Sequence, residues 1–188
     1  ERHERLVYRH VGDGPDGHSL WPSFANVQNE FLESYFPLRI DTYETIPDTG
    51  GAGKNRGGNG LRIGYRFLEP GEISIHDDRW LTYPWGILGG RPGMRSEKVL
   101  RRADGSTELL PSKCDEVQVE PGDVLVYRTA GGGGWKDPFE RPAELVEAER
   151  RRREVVRADR GEHAVALREA GEEGHRIEHA VGGLAGGI

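Results

Sequence analysis

The chain has 188 residues, 35% of them hydrophobic, with a formal net charge of −6 at pH 7 and one cysteine, Cys114. That length accommodates one domain with a real core, or one domain and a tail. The acid excess argues against nucleic acid as the main partner, the lone cysteine excludes an intramolecular disulfide and suits a reducing, cytoplasmic setting, and no apolar run is long enough for a membrane-spanning helix.

The N-terminal ERHERLVYRH is too charged for the apolar core of a signal peptide. No initiator Met precedes it, which suggests a processed product or a fragment. Residues 1–22 are polar and turn-rich, with GDGPDG at 12–17 the clearest loop. A short helix is expected from about Ala25 to Tyr35, with Ser23 able to cap it and Val27, Phe31 and Tyr35 on one face; Pro37 ends it. The period then changes to two. In LRIGYRFL (61–68), Leu61, Ile63, Tyr65 and Phe67 alternate with Arg62, Gly64, Arg66 and Leu68, the pattern of a half-buried strand. Glu69-Pro70-Gly71-Glu72 before ISIH (73–76), and Glu120-Pro121-Gly122-Asp123 between VQV (117–119) and VLVY (124–127), carry type II turn chemistry. Asp104-Gly105, between KVLRR and TELL, reads as a hairpin. The fold class expected is mainly β (α+β): an antiparallel sandwich or barrel-like domain over residues 1–142, with a short N-terminal helix. Residues 143–188 form a charged helix and a flexible tail. The four arginines at 150–153 lie among acids and suit a solvated helix face with i, i+4 pairs, and the closing GGLAGGI is expected to fray. The low apolar content suggests that partners complete part of the core.

Three places could carry chemistry. The first is the glycine loop TIPDTGGAGKNRGGNG at 45–60, where Gly50, Gly51, Gly53, Gly57, Gly58 and Gly60 surround Lys54, Asn55 and Arg56. Such density permits positive φ and close backbone approach. One reading is a cradle of N–H groups for an anion, helped by Lys54 and Arg56. The other is a compact loop packed against a neighbouring domain. The absence of a GK[ST] triplet and the strand that follows count against a phosphate loop. The second is the corner His76-Asp77-Asp78-Arg79, followed by Trp80, Tyr83 and Trp85. A strand leaving the core delivers His76 to its rim. His76 and Asp78 share a parity and could act as an acid/base or metal pair, whereas Asp77 points the other way. The alternative is a polar turn whose Asp side chains satisfy backbone donors and whose Arg79 pairs with one of them; the aromatics suit a subunit interface, or else a substrate pocket. The third is the run of four glycines at 131–134 before Trp135, which demands a tight backbone crossing or a close approach to something else. His175 and His179 have zinc-pair spacing without a third ligand, and Cys114 has no CxxC partner, so no metal site is assigned. No GxSxG or HExxH signature is present.

The run DTGGAGKNRGGNGLRIGYRFLEPGEISIHDDRW (48–80), then PWGILGGRPG (84–93), LLPSKCDEVQVEPGD (109–123) and GGGGWKDPFERP (131–142), resembles the C-terminal part of the hydantoinase B/oxoprolinase family. Acetone and acetophenone carboxylase large subunits are related to that family. WPSFANVQNEFLESYFPLRIDTYE (21–44) is similar to the segment that precedes the glycine loop there. Family members are several times longer, and the metal-binding His and Asp motifs of their N-terminal portion have no counterpart here. The resemblance implies a subunit or C-terminal fragment of an ATP-dependent amidohydrolase or ketone carboxylase complex. An A-type ATPase subunit would phosphorylate a cyclic amide or ketone substrate or bicarbonate, and the remainder of a B-type subunit would complete the reaction. ATP and Mg, with or without a further divalent metal, would then sit in partner subunits. On this reading His76, Asp78 and Arg79 are the catalytic candidates. Gly50, Gly51, Gly53, Lys54, Arg56, Trp80 and Trp85 form a substrate or interface wall. The competing expectation is a non-catalytic β scaffold that only binds the larger subunits.

Overall fold

The structure, a computed structural model, describes residues 12–18 and 26–159. They fall into two units, one ending at Arg141 and one beginning at Pro142.

In the first unit a short helix α1 (Asn29–Tyr35) precedes seven strands: β1 (Leu38–Thr45), β2 (Leu61–Phe67), β3 (Gly71–His76), β4 (Glu97–Arg101), β5 (Thr107–Leu109), β6 (Lys113–Val119) and β7 (Val124–Arg128). All pairing between these strands is antiparallel, which makes the fold mainly β, as its turn-punctuated short strands predict. Five strands form one sheet in the order β1-β2-β7-β4-β5, and β3 pairs with β6 in a second.

The alternation in β2 fixes which face is inside. Tyr65 lies opposite Leu125, and Leu125 opposite Leu100, so these side chains share one face with Ile63, Phe67 and Tyr127. Phe67, Leu100 and Leu125 pack there against Ile75 and Val119 of the small sheet and against Leu110, all at 8% exposure or less. The opposite face of the large sheet carries cross-strand ion pairs. Glu44 pairs with Arg62 and Glu97 with Arg128 at directly opposed positions. Arg39 and Arg66 also oppose each other, a like-charge pair. A bulge between Ile40 and Thr42 sets Asp41 between them, and its carboxylate accepts from both. The Arg66 hydrogen bond, with Arg39 adding to it, holds the Asp41 carboxyl below its ordinary value.

Three local expectations need correction. The helix begins at Asn29 with Gln28 as N-cap and no side-chain cap bond, so Val27 precedes it; Ser23 and Ala25 lie outside the described residues. Phe31 and Tyr35 do stack, with ring centroids 4.2 Å apart, but both are exposed. Second, 69–72 is not a type II turn. Gly71 lacks the positive φ such a turn requires and opens β3, and β2 and β3 enter different sheets. Third, Leu38–Thr45 is a strand that the residue pattern did not single out.

The other two turns form as expected. Gly105 has φ 90°, and its N–H bonds to Arg102 O (3.0 Å) in the β4–β5 hairpin. Gly122 has φ 92°, and Asp123 N–H bonds to Glu120 O (3.0 Å). Asp123 is 2% exposed and accepts from Ala103 N–H, Glu120 N–H and the Arg102 guanidinium. Burial alone would raise its carboxyl, but the two backbone donors and Arg102 bring it below the ordinary value of 3.8. A lowered folded-state value contributes stability that is complete above the unfolded value and is lost as pH falls through the folded one. Asp123→Asn is therefore expected to cost about 2–3 kcal/mol at neutral pH. In chemical denaturation, the gap between native protein and variant should shrink below about pH 4.

In the second unit, α2 (Ala143–Asp159) shows the expected solvated face: Glu147 takes hydrogen bonds from Arg150 and Arg151. His175, His179 and the closing glycines lie outside the described residues. No helix among the described residues is long and apolar enough to cross a membrane.

Candidate functional site

The glycine loop, the segment 84–93 and the glycine run 131–134 form one assembly beside the large sheet. Backbone binds backbone throughout. Gly51 N–H donates to Gly132 O (2.8 Å), Gly132 N–H to Gly58 O (2.8 Å), Arg91 N–H to Ala52 O (2.7 Å) and Gly134 N–H to Arg91 O (2.9 Å). Trp135 bridges to Asn55 on one side and Ile87 on the other. The glycines serve close approach rather than unusual dihedrals. None of those at 50–60 or 131–134 has a positive φ, yet a Cβ on Gly57, Gly131 or Gly133 would overlap the carbonyl of Gly132, Thr49 or Trp85.

This arrangement counts against the anion-cradle reading. The N–H groups of Gly50, Gly51, Asn55, Arg56, Gly57, Asn59 and Gly60 are all bound within the chain. Both cations are engaged as well: Arg56 bonds Asp16 at 2.8 Å, and Lys54 lies 3.5 Å from Glu140. Among the described residues the loop's immediate neighbours are segments of its own unit. Residues 12–17 strap across it. Asp13 takes a bidentate pair from Arg141 (2.6 and 2.7 Å) and Arg56 N–H, while Asp16 takes Asn59 N–H. The Arg141 hydrogen bond chiefly holds the Asp13 carboxyl below its ordinary value, against the opposing pull of burial.

The corner after β3 is clamped from below. His76, at the strand end, faces outward and contacts Asp115 across the small sheet at 2.9 Å. Asp77 turns inward. Its backbone exchanges two bonds with Ser112, from Asp77 N–H to Ser112 O (3.0 Å) and from Ser112 Oγ to Asp77 O (2.6 Å). Its carboxylate meets Lys98 Nζ at 2.5 Å. Lys98 is fully buried, with its ammonium 5.6 Å from the centre of the Tyr127 ring. Burial pushes the Tyr127 phenol well above its ordinary value, and Asp77 adds to the shift. Ser96, 4% exposed, binds the carbonyls of Asp78 and Arg79. On this base Arg79 adopts a left-handed φ of 63° and lays its guanidinium 4.4 Å above the exposed Trp85 ring.

The strand parity thus places His76 and Asp77 on opposite faces, as expected. His76 bonds Asp115 rather than Asp78, whose side chain is exposed. Trp80 is half-buried. Gly50, Gly51 and Gly53 lie inside the glycine assembly. Lys98 and Tyr127 were not singled out from the residues. Their signal was parity alone: Lys98 shares a face with Leu100, and Tyr127 with Leu125. Among the described residues no group of three His, Cys, Asp or Glu side chains is placed to hold a metal ion.

The profile of one protein family, Hydantoinase B/oxoprolinase, matches residues 8–138. The uncharacterized protein MJ0963 of Methanocaldococcus jannaschii is 37% identical over 121 residues, which are 64% of this chain and 21% of that one. Caprolactamase subunit beta of Pseudomonas jessenii is 29% identical over 162 residues, 80% of this chain and 28% of that one. A nucleotide-free acetone carboxylase structure, whose subject is ATP-dependent acetone carboxylation, superposes with a TM-score of 0.63 at 18% identity, over 73% of this chain and 23% of that one. That likeness shows the fold. The chain spans only about a quarter of the length of these proteins.

Proposed function

We propose, from the premise that this chain belongs to the hydantoinase B/oxoprolinase family, that it is part of a B-type subunit in an ATP-dependent, multi-subunit enzyme. There it shapes the substrate cavity and the subunit interface. The observation that carries this reading is the continuous family match over residues 8–138, which takes in all three glycine segments and the 76–79 corner. The substrate is a small cyclic amide opened by hydrolysis, or a ketone that is carboxylated. An A-type partner subunit holds ATP and Mg and phosphorylates the substrate oxygen or bicarbonate. The remainder of the B-type subunit completes the cavity and holds any further divalent metal. This chain alone is inactive, and its free Cys114 suits a cytoplasmic setting.

Activation makes phosphate the leaving group, so the surrounding protein has to meet developing negative charge with fixed cations and dipoles. The rim at His76, Asp78 and Arg79 supplies two proton-handling groups and a guanidinium, and the rigid glycine wall with Trp80 and Trp85 borders it. A second reading, the non-catalytic scaffold, is favoured by the exposed Leu81, Tyr83, Trp85, Ile87 and Leu88, which suit a protein contact.

The two separate in the assembled complex carrying His76→Ala and Asp78→Ala. The expected result is normal assembly by size-exclusion chromatography with turnover reduced by about a hundredfold or more. Undiminished turnover in an intact complex would remove the catalytic role and leave the scaffold.

A further inference from the structure

Arg79 differs from most arginines whose side chains the structure describes. Arg56, Arg62, Arg66, Arg102, Arg128 and Arg141 each form an ion pair with a carboxylate. Arg79 is half-buried and has no ion pair or hydrogen-bonded side-chain partner among the described residues, Asp78 beside it included. Its charge rests instead on an indole, 4.4 Å from the Trp85 ring centre. Its backbone is left-handed, which a non-glycine residue keeps only where its surroundings enforce it. Here they do: Ser96 holds the Arg79 carbonyl, Ser112 holds Asp77 from both sides, and Lys98 anchors the Asp77 carboxylate.

We propose that Arg79, stacked on Trp85, is an oxyanion-binding group that takes the carboxylate or phosphoryl group of a small ligand, and that the buried Asp77–Lys98 pair is the support that positions it. The inference rests on the reading of this corner as a cavity rim. A guanidinium lying over an indole keeps its N–H edge in its own plane, and that planar fork matches two oxygens of one anion. Stacking has already removed much of the side chain's freedom, so little more is lost on binding. The clamp below the corner supports the site as second-layer contacts support a preorganised one.

The full 188-residue chain, labelled with nitrogen-15, is titrated with inorganic phosphate and separately with acetate, against chloride at matched ionic strength. The four indole N–H signals are followed, and that of Trp85 is assigned with Trp85→Phe. The expected result is a saturable shift at Trp85 with phosphate or with acetate and none with chloride. Saturation by phosphate alone assigns the phosphoryl group, and saturation by acetate assigns the carboxylate. Arg79→Gln should weaken binding by about tenfold or more. The Asp77→Asn/Lys98→Met double variant, compared well below its melting point, should also bind more weakly. An equal response to chloride, or native affinity in Arg79→Gln, overturns the ligand assignment; native affinity in the double variant overturns the supporting role. Such a failure would leave the assembly and turnover experiment on the whole complex to decide the wider reading.

Discussion

Gly131→Ala is expected to destabilise the chain by about 3 kcal/mol, and Gly133→Ala by a similar amount. At Gly131 the new Cβ would overlap the Thr49 carbonyl oxygen. Thr49 cannot yield. It is 2% exposed, its carbonyl receives Met94 N–H (2.8 Å), and its hydroxyl joins Ile46 O to Gly60 N–H. Moving it would break bonds within the glycine loop and the bond from Met94, just past segment 84–93, at once. At Gly133 the overlap is with the Trp85 carbonyl, at the edge of the Arg79 corner. Gly12→Ala is the matched control, because a Cβ there meets nothing within 4 Å. Thermal unfolding should separate them: the two loop variants drop by several degrees and the control does not move. If Gly131→Ala melts with the native chain, the segments are not packed backbone to backbone.

How far the residues foretell this depends on whether side chains or backbone decide. Strand β2 was legible because its inner positions are apolar and its outer ones carry arginines, a signal confined to seven consecutive residues. Strand β1 was not. Its burial alternates cleanly, but the half-buried positions include Thr42 and Glu44 while Tyr43 is exposed, so apolar residues do not mark the buried positions. The glycine loop announced close approach without naming its partners. Those are segments 84–93 and 131–135, far along the chain, and contacts between bare backbones leave no complementary side-chain pattern to read. Density of glycine also suggested positive φ, whereas no glycine at 50–60 or 131–134 has it; in this region Gly89 and the non-glycine residues Asp48, Arg79, Leu88 and Lys136 carry it. The 76–79 corner was legible as a place of chemistry from its residue types. Its foundation was hidden, because Lys98 in EKVLR reads as one more surface cation unless its parity with Leu100 is given more weight than its charge.

That foundation yields the other large effect. Lys98→Met keeps length and volume but leaves the Asp77 carboxylate, whose side chain is only 14% exposed, without its cation. Removing one partner of a buried ion pair costs about 3–5 kcal/mol, mostly the desolvation of the charge left behind. For a chain of this size that is a fall of about 10 °C in melting temperature. Asp77→Asn strands the ammonium instead, in a site that is fully buried beside the Tyr127 ring, and should cost a comparable amount. The informative variant is the combination. Asp77→Asn with Lys98→Met removes both charges, and the core then holds a neutral amide and an apolar chain of similar shape. Its cost should be well below the sum of the two single variants and below that of Lys98→Met alone. The Ser112 and Ser96 bonds to the corner's backbone persist in all three, so the fold of 76–79 should survive in the double variant even as Arg79 loses its rigid support. Strictly additive losses would mean that Asp77 and Lys98 do not compensate each other, and that the corner is held by its backbone bonds alone.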